Sequence, residues 1–320
     1  MCISEDINYL DEHGVNILLE APKPSYDLNI QNYLNSNENK KIFQITCNYK
    51  DFDFKNIPHF ISLQNFYINI RKDNGLVLVL LKNKYIQNES NRKLIIYCHE
   101  NKRDIGELIP TLIDLTIQFR SDLLTFDYSG FGRSSGKIQK CNFYLNCKKI
   151  YNYVIKYFKY HSENIIIFGR EIGAISALII CMNYSVKCAI IFSPIFLGII
   201  GQNLLKGISV PVFLIQHNAI NSEYNYKKTS ELCSQIRNIH KWTCNRNSFE
   251  KILKEKRSKL INKIKEYINK IKNNLNKSNL NTSYETQNLK EMNTNISYSQ
   301  LGQKVNQHVI VFSDDEDDEN

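Results

Sequence analysis

No stretch of the 320-residue sequence is apolar over the thickness of a bilayer, and no secretory signal is recognisable. The longest apolar run, residues 189–200, covers about a dozen residues and contains Pro194, whereas a membrane-spanning helix needs about 20. Residues 1–6 provide neither the basic nor the apolar segment of a signal peptide. We therefore expect a cytoplasmic protein, with peripheral attachment as the remaining membrane role.

Paired cysteine spacings and metal-ligand spacings are also missing. The nine cysteines are odd in number and scattered, which predicts reduced thiols rather than a disulfide framework. Cys141 and Cys147 lie six residues apart, but no histidine accompanies them at a zinc-ligand spacing. The sequence thus predicts neither a metal site nor a cofactor.

The composition does provide material for a large packed core and an uneven charge. Apolar residues make up 42% of the chain, with 19 Tyr and 16 Phe, so wholesale disorder is excluded. The net charge is +9; residues 250–278 hold ten Lys or Arg against three Glu, while 314–319 are six consecutive acids. The other lysines are dispersed and no aromatic residues interleave a basic motif, so no nucleic acid is expected as a partner.

Two patterns of apolar residues divide the body of the chain. The alternating segments 65–71 and 76–81, around the turn at 73–75, predict a β-hairpin. From residue 94 onward, short continuous apolar strands alternate with amphipathic helices. The predicted strands are 43–48, 94–98, 123–126, 164–168, 188–192 and 210–216, and the predicted helices lie near 106–119, 142–158, 172–182 and 224–236. This alternation predicts an α/β fold with a mostly parallel, twisted sheet and helices on both faces.

Polar and glycine-rich motifs follow three of these strands. Sites in such folds form at the carboxyl ends of the strands, so we expect the three motifs to meet at one edge of the sheet. They read His99-Glu100-Asn101, then Asp127-Tyr128-Ser129-Gly130-Phe131-Gly132-Arg133-Ser134-Ser135-Gly136, and finally Gly169-Arg170-Glu171-Ile172-Gly173.

With these motifs the chain resembles the α/β-hydrolase superfamily over roughly residues 20–250. Residues 127–136 are the most specific part of the resemblance. The segments 22–26 and 193–195 match the abhydrolase-domain branch, similar to serine aminopeptidase S33, that includes protein depalmitoylases. The resemblance implies an α/β-hydrolase fold, with a reduced cap because only about 17 residues separate the strands 188–192 and 210–216. It also implies carboxylic-ester or thioester hydrolysis by a serine nucleophile.

The catalytic positions that the resemblance assigns hold other residues. The nucleophile of the family stands at the centre of a Gly-x-Ser-x-Gly turn, and here Gly169 and Gly173 flank Glu171. The family's acid falls near Ile220 and its histidine near Ser248, and neither window contains the expected residue type. Losing the whole triad costs a serine hydrolase about 10⁶ in turnover. We therefore expect no catalysis by the family mechanism.

The oxyanion hole that the resemblance implies is altered as well. Family members place a small residue after the strand-end histidine, and here Glu100 follows His99. Its carboxylate is expected to repel a developing oxyanion. For Glu171 itself we expect a structural role, in which its carboxylate fills the vacant anion site at the helix N-terminus.

Several alternatives remain open at this stage. Glu171 could form an ester intermediate as the nucleophile if His217 or His240 activated water. The serines 134, 135 and 193 are expected to stabilise turns rather than to attack substrate. Cys98 and His99 are adjacent in a strand and should point to opposite faces, which argues against a Cys–His pair.

The polar termini and a lysine-rich helix complete the expected organisation. We predict an irregular lead-in over 1–41, an α/β-hydrolase-like domain over 42–249, a basic amphipathic helix over 250–276 and a disordered tail over 277–320 with an acidic end. Apolar residues at 261, 264, 268, 271 and 275 form a narrow seam on the helix. That seam suits a coiled-coil partner or packing on the domain, and the lysine-rich flanks suit an anionic membrane.

Two functions from different classes follow. The first is a catalytically inactive α/β-hydrolase-like protein, a pseudoenzyme, that acts as a binding or scaffold module through an unidentified protein partner. The second is an active esterase or acyl-protein thioesterase that uses a relocated nucleophile or Glu171. The residues expected to line a retained ligand site are His99, Glu100, Asn101, Glu171, Ile172 and His217.

Overall fold

Ten strands form one sheet in the part of the chain that the structure describes. The structure is a computed structural model, and it describes residues 21–29, 42–50, 52–71, 74–89, 92–195, 205–217, 231–244 and 258–271. The strands are β1 Tyr26–Asn29, β2 Ile42–Tyr49, β3 Ile61–Arg71, β4 Asn74–Asn83, β5 Leu94–Cys98, β6 Asp122–Phe126, β7 Ile165–Arg170, β8 Cys188–Phe192, β9 Val212–His217 and β10 Ile239–Cys244.

Helices occupy the connections from β5 onward. They are α1 Ile105–Phe119, α2 Lys140–Lys156 and α3 Gly173–Asn183, with a further helix, α4, over 258–271. Two short 3-10 helices cover Phe54–Asn56 and Ser162–Asn164. Of the helix predicted near 224–236, the described part begins at 231 and is helical to 233.

The sheet is antiparallel at one side and parallel through the rest. Its strand order is β1-β2-β3-β4-β6-β5-β7-β8-β9-β10. The strands β1 to β4 pair antiparallel, β4 pairs antiparallel with β6, and β5 to β10 are all parallel. This confirms the mostly parallel sheet that the continuous apolar strands predict.

Alternate residues of each central strand enter two separate cores, one on each face of the sheet. In β5, Leu94 and Ile96 join the core beneath α2 and α3, while Ile95 and Tyr97 join the core beneath α1 and α4. Both faces are therefore dry, which explains why these strands lack the polar alternation of a one-sided sheet.

The apolar seam of α4 packs into the domain itself. Leu260, Ile261, Ile264, Ile268 and Ile271 are all buried within the core that also contains α1. The seam is thus not available for the coiled-coil partner considered from the sequence. The lysine-rich face is what α4 leaves to solvent, with Lys259, Lys263 and Lys270 exposed. Residues 250–257 and 272–276 of the predicted helix lie outside the described residues.

The lead-in predicted as irregular contains strand β1, which is a correction. β1 pairs with the edge of β2, with Tyr26 opposite Tyr49. Ser25 donates its N–H to Asp104 Oδ2 at 2.7 Å, and Tyr26 donates its hydroxyl to Asp127. A strand of four residues is too short to show a recognisable alternation of apolar and polar side chains. Hydrogen bonds to residues far away in the sequence hold β1 in place instead. The predicted acidic tail lies outside the described residues.

Candidate functional site

The turn between β7 and α3 retains the geometry of a nucleophile elbow with Glu171 at its centre. Glu171 adopts φ +51°, a left-handed conformation that costs a residue with a Cβ roughly 1 kcal/mol or more. Its N–H donates to Phe192 O at 3.0 Å, and its carbonyl accepts from Ala174 N at 3.2 Å and from Ile195 N at 3.1 Å. Backbone hydrogen bonds to β8 and α3 therefore hold the strained turn.

The two glycines of the turn are required by close backbone packing. A Cβ on Gly173 would stand 2.0 Å from Cys98 O, and one on Gly169 would stand 2.6 Å from Gly173 O. No side chain tolerates such distances, so only glycine lets α3 begin against the end of β5. The chain thus keeps the elbow's backbone requirements although its centre is a carboxylate.

A buried ion pair joins the ends of the neighbouring strands β5 and β7. Arg170 donates from Nη1 to Glu100 Oε1 at 2.8 Å, and the two side chains are only 7% and 4% exposed. Arg103 adds a second guanidinium, with its Nε 3.4 Å from the same oxygen. Glu100 is therefore neutralised by two arginines rather than left to repel charge in the site, which corrects the sequence-based expectation.

Neither arginine was identified from the sequence. Arg170 stands immediately before Glu171, and the available signal was that its charge is opposite in sign to that of Glu100, which lies in another of the three motifs. Using that signal requires knowing that β5 and β7 are neighbours, and their paired residues lie about 70 positions apart in the chain.

The Glu171 side chain reaches toward Arg170. It is 32% exposed, and its Oε1 lies 3.7 Å from Arg170 Nη2. The contact is long enough to be an ion pair rather than a hydrogen bond. The sequence-based expectation that this carboxylate fills the anion site of its own helix stays a prediction.

His99 anchors the loop that carries Glu100. Its ring is fully buried against Tyr128, with centroids 4.6 Å apart, and its Nδ1 lies 2.7 Å from Glu100 O. Its Nε2 forms an ion-pair contact of 3.4 Å with Asp127 Oδ1. Asp127 also accepts from Ile105 N at 3.0 Å and from the Tyr26 hydroxyl. The contacts of His99 with Glu100 O and with Asp127 therefore hold the loop that carries Glu100 in place.

The pKa values of this buried pair are both displaced upward. Burial lowers the pKa of His99, but Asp127 and Glu100 outweigh it, and the net pKa is raised. Burial raises the pKa of Asp127, and its contacts with His99 and Tyr26 offset only part of this effect. A histidine whose pKa is raised on folding stabilises the protein below its unfolded pKa of 6.5 and loses that contribution as pH rises through the folded value.

We expect the unfolding free energy to fall between pH 6 and pH 9 more steeply in the wild type than in His99→Asn. The pKa values of His99 and Asp127 are both raised in the folded state, so both groups make the unfolding free energy fall as pH rises, Asp127 from its unfolded pKa of 3.8 upward and His99 from 6.5 upward; the variant removes the contribution of His99. Urea unfolding at several pH values measures both slopes. Equal slopes for the two proteins would contradict a protonated His99.

Three of the six residues expected to line a ligand site are buried. His99 and Ile172 are fully buried and Glu100 is 3% exposed, so none of the three lies on an open surface, and their role in a ligand site stays a prediction. Asn101 and Glu171 are partly exposed. His217 ends β9, and its side chain lies outside the described residues.

The two other family positions fall outside the described residues. They are Ile220, near the position of the family's acid, and Ser248, near the position of its histidine. The loss of the catalytic acid and histidine therefore stays a prediction. His240 is described, within β10. Across the sheet, His240 is in register with Phe168 of β7, three strands away. Three strand spacings put their backbones about 14 Å apart. The His240 ring stacks on Tyr267 of α4. It therefore cannot serve as a base for Glu171.

The serines near the site have structural environments. Ser134 Oγ accepts from Val77 N at 2.9 Å and lies 2.8 Å from Asp127 O, and Ser135 Oγ accepts from Gly75 N at 2.8 Å. These bonds support the turn roles expected from the sequence. Ser193 adopts φ +44°, and its buried Oγ has no hydrogen-bond partner among the described residues, so no described base activates it.

Cys98 is excluded as a nucleophile by its surroundings. Its side chain is buried in the core beneath α2 and α3, and burial raises its pKa well above the ordinary value. Among the described residues, no group of three or more His, Cys, Asp or Glu side chains could hold a metal ion. Within the same residues, no helix has both the length and the apolar character to cross a membrane.

Curated proteins similar in sequence carry one family name. The chain is 25% identical over 138 residues to the mouse alpha/beta hydrolase domain-containing protein 17C, a match that covers 43% of this chain and 42% of that protein. It is 28% identical over 104 residues to human alpha/beta hydrolase domain-containing protein 17B, covering 32% and 36%. The chain thus spans about two fifths of the length of these relatives, and no family model matches it.

Solved structures similar in shape are hydrolases and esterases. One is a predicted CIB-like hydrolase from Thermoplasma acidophilum, with TM-score 0.52, 16% identity and coverage of 65% of this chain and 99% of that one. Another is the Pyrococcus furiosus esterase Pf2001, with TM-score 0.57, 15% identity and coverage of 69% and 96%. At these identities the likeness establishes the fold. The chain has an α/β-hydrolase fold, and its sequence resembles the abhydrolase-domain branch of that superfamily.

Proposed function

We propose that this protein is a catalytically inactive member of the α/β-hydrolase superfamily that acts as a binding or scaffold module. The observation that carries the proposal is Glu171, which stands in the strained elbow where an acyl-transfer enzyme needs a serine hydroxyl. Attack by a carboxylate on an acyl group would form an anhydride, and a carboxylate has no hydroxyl proton for a histidine to remove.

The side chains beside the elbow also differ from those of an acyl-transfer site. The oxyanion of the tetrahedral intermediate needs donors on the loop after β5 and at the start of α3. In this chain the Glu100 carboxylate comes from that loop and engages Arg170, the residue before Glu171. An ion-paired carboxylate thus follows β5 at the position where the resemblance places a small residue beside the oxyanion hole.

The binding surface in this proposal is the solvent face of α4. Its seam is committed to the core, while Lys259, Lys263 and Lys270 face solvent. An acidic protein partner or an anionic membrane surface suits this face by charge. The six described free cysteines, which are all buried, agree with a reducing compartment such as the cytoplasm. They are Cys47, Cys98, Cys147, Cys181, Cys188 and Cys233.

Labelling with a serine-directed fluorophosphonate tests the proposal. We expect no covalent adduct on the folded wild-type protein under conditions that fully label an active serine hydrolase, because among the described residues no serine hydroxyl is hydrogen-bonded to a histidine, and Ser25 donates instead to the Asp104 carboxylate. Intact-protein mass spectrometry reads out the adduct, and circular dichroism confirms folding. Stoichiometric labelling that Ser193→Ala or Ser134→Ala abolishes would establish the alternative, an active esterase or thioesterase with a relocated nucleophile.

A further inference from the structure

Two guanidinium groups converge on one oxygen of Glu100. Arg170 Nη1 lies 2.8 Å and Arg103 Nε 3.4 Å from Oε1. Each arginine has a second, longer contact with a partly exposed carboxylate, Arg103 with Glu107 at 3.9 Å and Arg170 with Glu171 at 3.7 Å. Two guanidinium groups that meet at one buried oxygen are suited to an oxyanion.

The carboxylate of Glu100 fits this environment poorly. Both cations are directed at Oε1, whereas Oε2 is buried and has no hydrogen-bond partner among the described residues. A buried acceptor without a donor costs about as much as a lost hydrogen bond. The loop that carries Glu100 also includes Lys102 at φ +62°, a strained conformation. A ligand with two or three oxygens could engage the two arginines separately, which a single carboxylate oxygen cannot.

We propose that Arg103 and Arg170 form an anion-binding site that the protein's own Glu100 occupies, and that a carboxylate or phosphate group of a ligand takes the site in exchange for Glu100. The inference rests on the proposed function, since an elbow engaged in acyl transfer would need this position for its oxyanion. It adds the chemical class of the ligand and the internal group that competes with it.

The competition has a measurable consequence. The apparent Kd for an external anion equals the intrinsic Kd divided by the fraction of molecules in which Glu100 is displaced. If that fraction is below about one tenth, removing the carboxylate tightens binding at least about tenfold. Glu100→Gln removes the charge while keeping the shape of the side chain.

The experiment is isothermal titration calorimetry of inorganic phosphate into the full-length chain. Sodium chloride at matched ionic strength is the control for screening, and acetate distinguishes a carboxylate from a phosphate preference. We expect Glu100→Gln to bind phosphate at least about tenfold more tightly than the wild type. The added Arg170→Gln substitution should abolish that gain. Glu266→Gln, which removes an exposed carboxylate paired with Lys263 at 3.0 Å, should bind as the wild type does.

Three outcomes would overturn the proposal. They are phosphate binding by Glu100→Gln no stronger than in the wild type, binding that survives Arg170→Gln, and an equal gain in Glu266→Gln. Should Glu100→Gln fail to fold, Glu100→Asp keeps the charge but shortens the side chain, and it too should tighten phosphate binding. None of these readouts depends on hydrolysis, so their failure leaves the proposed loss of catalysis standing. Serine labelling of the wild type would remove the proposed loss of catalysis and, with it, the basis of this inference.

Discussion

Arg170→Met is expected to destabilise the fold by about 3 kcal/mol, because the substitution leaves the buried Glu100 carboxylate with only the more distant Arg103. For a domain of this size, that corresponds to a fall of roughly 6–12 °C in Tm. When one partner of a buried ion pair is removed, the other remains buried as an uncompensated charge, and this destabilises the folded state. The intact pair contributes little net stability, because its attraction only offsets the cost of removing both charges from water.

Removing both charges should restore most of the loss. The double variant Glu100→Leu with Arg170→Met replaces the pair by apolar side chains, and we expect its unfolding free energy to lie within about 1 kcal/mol of the wild type. Lys263→Met is the control for an exposed pair and should change stability by about 0.5 kcal/mol or less. Urea unfolding measures all four proteins. A double variant as unstable as Arg170→Met would mean that Glu100 does not depend on Arg170.

Gly173→Ala is expected to cost at least about 3 kcal/mol or to prevent folding, because the new Cβ would stand 2.0 Å from Cys98 O and 2.7 Å from His99 O. Both are backbone atoms at the end of β5, so neither can rotate away. The start of α3 would have to move out, and with it the elbow that holds Glu171.

The matched control is Gly75→Ala. There the new Cβ would also clash, at 2.3 Å from the Tyr67 hydroxyl and 2.4 Å from the ring carbon that carries it, but these atoms are the far end of a side chain and can shift. We expect this variant to lose about 1–2 kcal/mol, at the lower end of the usual cost of overpacking. Soluble yield and thermal unfolding by circular dichroism compare the two. Equal stability of the two variants would show that α3 is not fixed against β5 as described.

The sheet was predictable from the sequence, whereas the charge pairs around the elbow were not. Continuous apolar runs such as 94–98 and 164–168 predict strands buried on both faces, and the structure confirms a mostly parallel sheet. The partnership of Glu100 with Arg170 depends on β5 and β7 being neighbours, which is a property of the topology. The sequence around Glu100 therefore indicated a carboxylate near the site, but it did not indicate the arginines that pair with that carboxylate.

The same distinction explains β1 and α4. The 3-4 spacing of apolar residues on α4 is shared by helices that pair with a partner and by helices that pack on their own domain, and only the fold shows which core receives it. Strand β1 is held by bonds from Ser25 and Tyr26 to Asp104 and Asp127, about 80 to 100 positions away. The spacing of apolar residues along the chain cannot predict hydrogen bonds between residues so far apart.

The central claim, that Glu171 has replaced the nucleophile without taking over its chemistry, is tested most directly by thioester turnover. Purified wild-type protein and Glu171→Gln are incubated with an S-acyl thioester, and thiol release is followed over several hours. The account predicts the same rate for both proteins, equal to that of buffer alone. Turnover by the wild type that Glu171→Gln abolishes would contradict it.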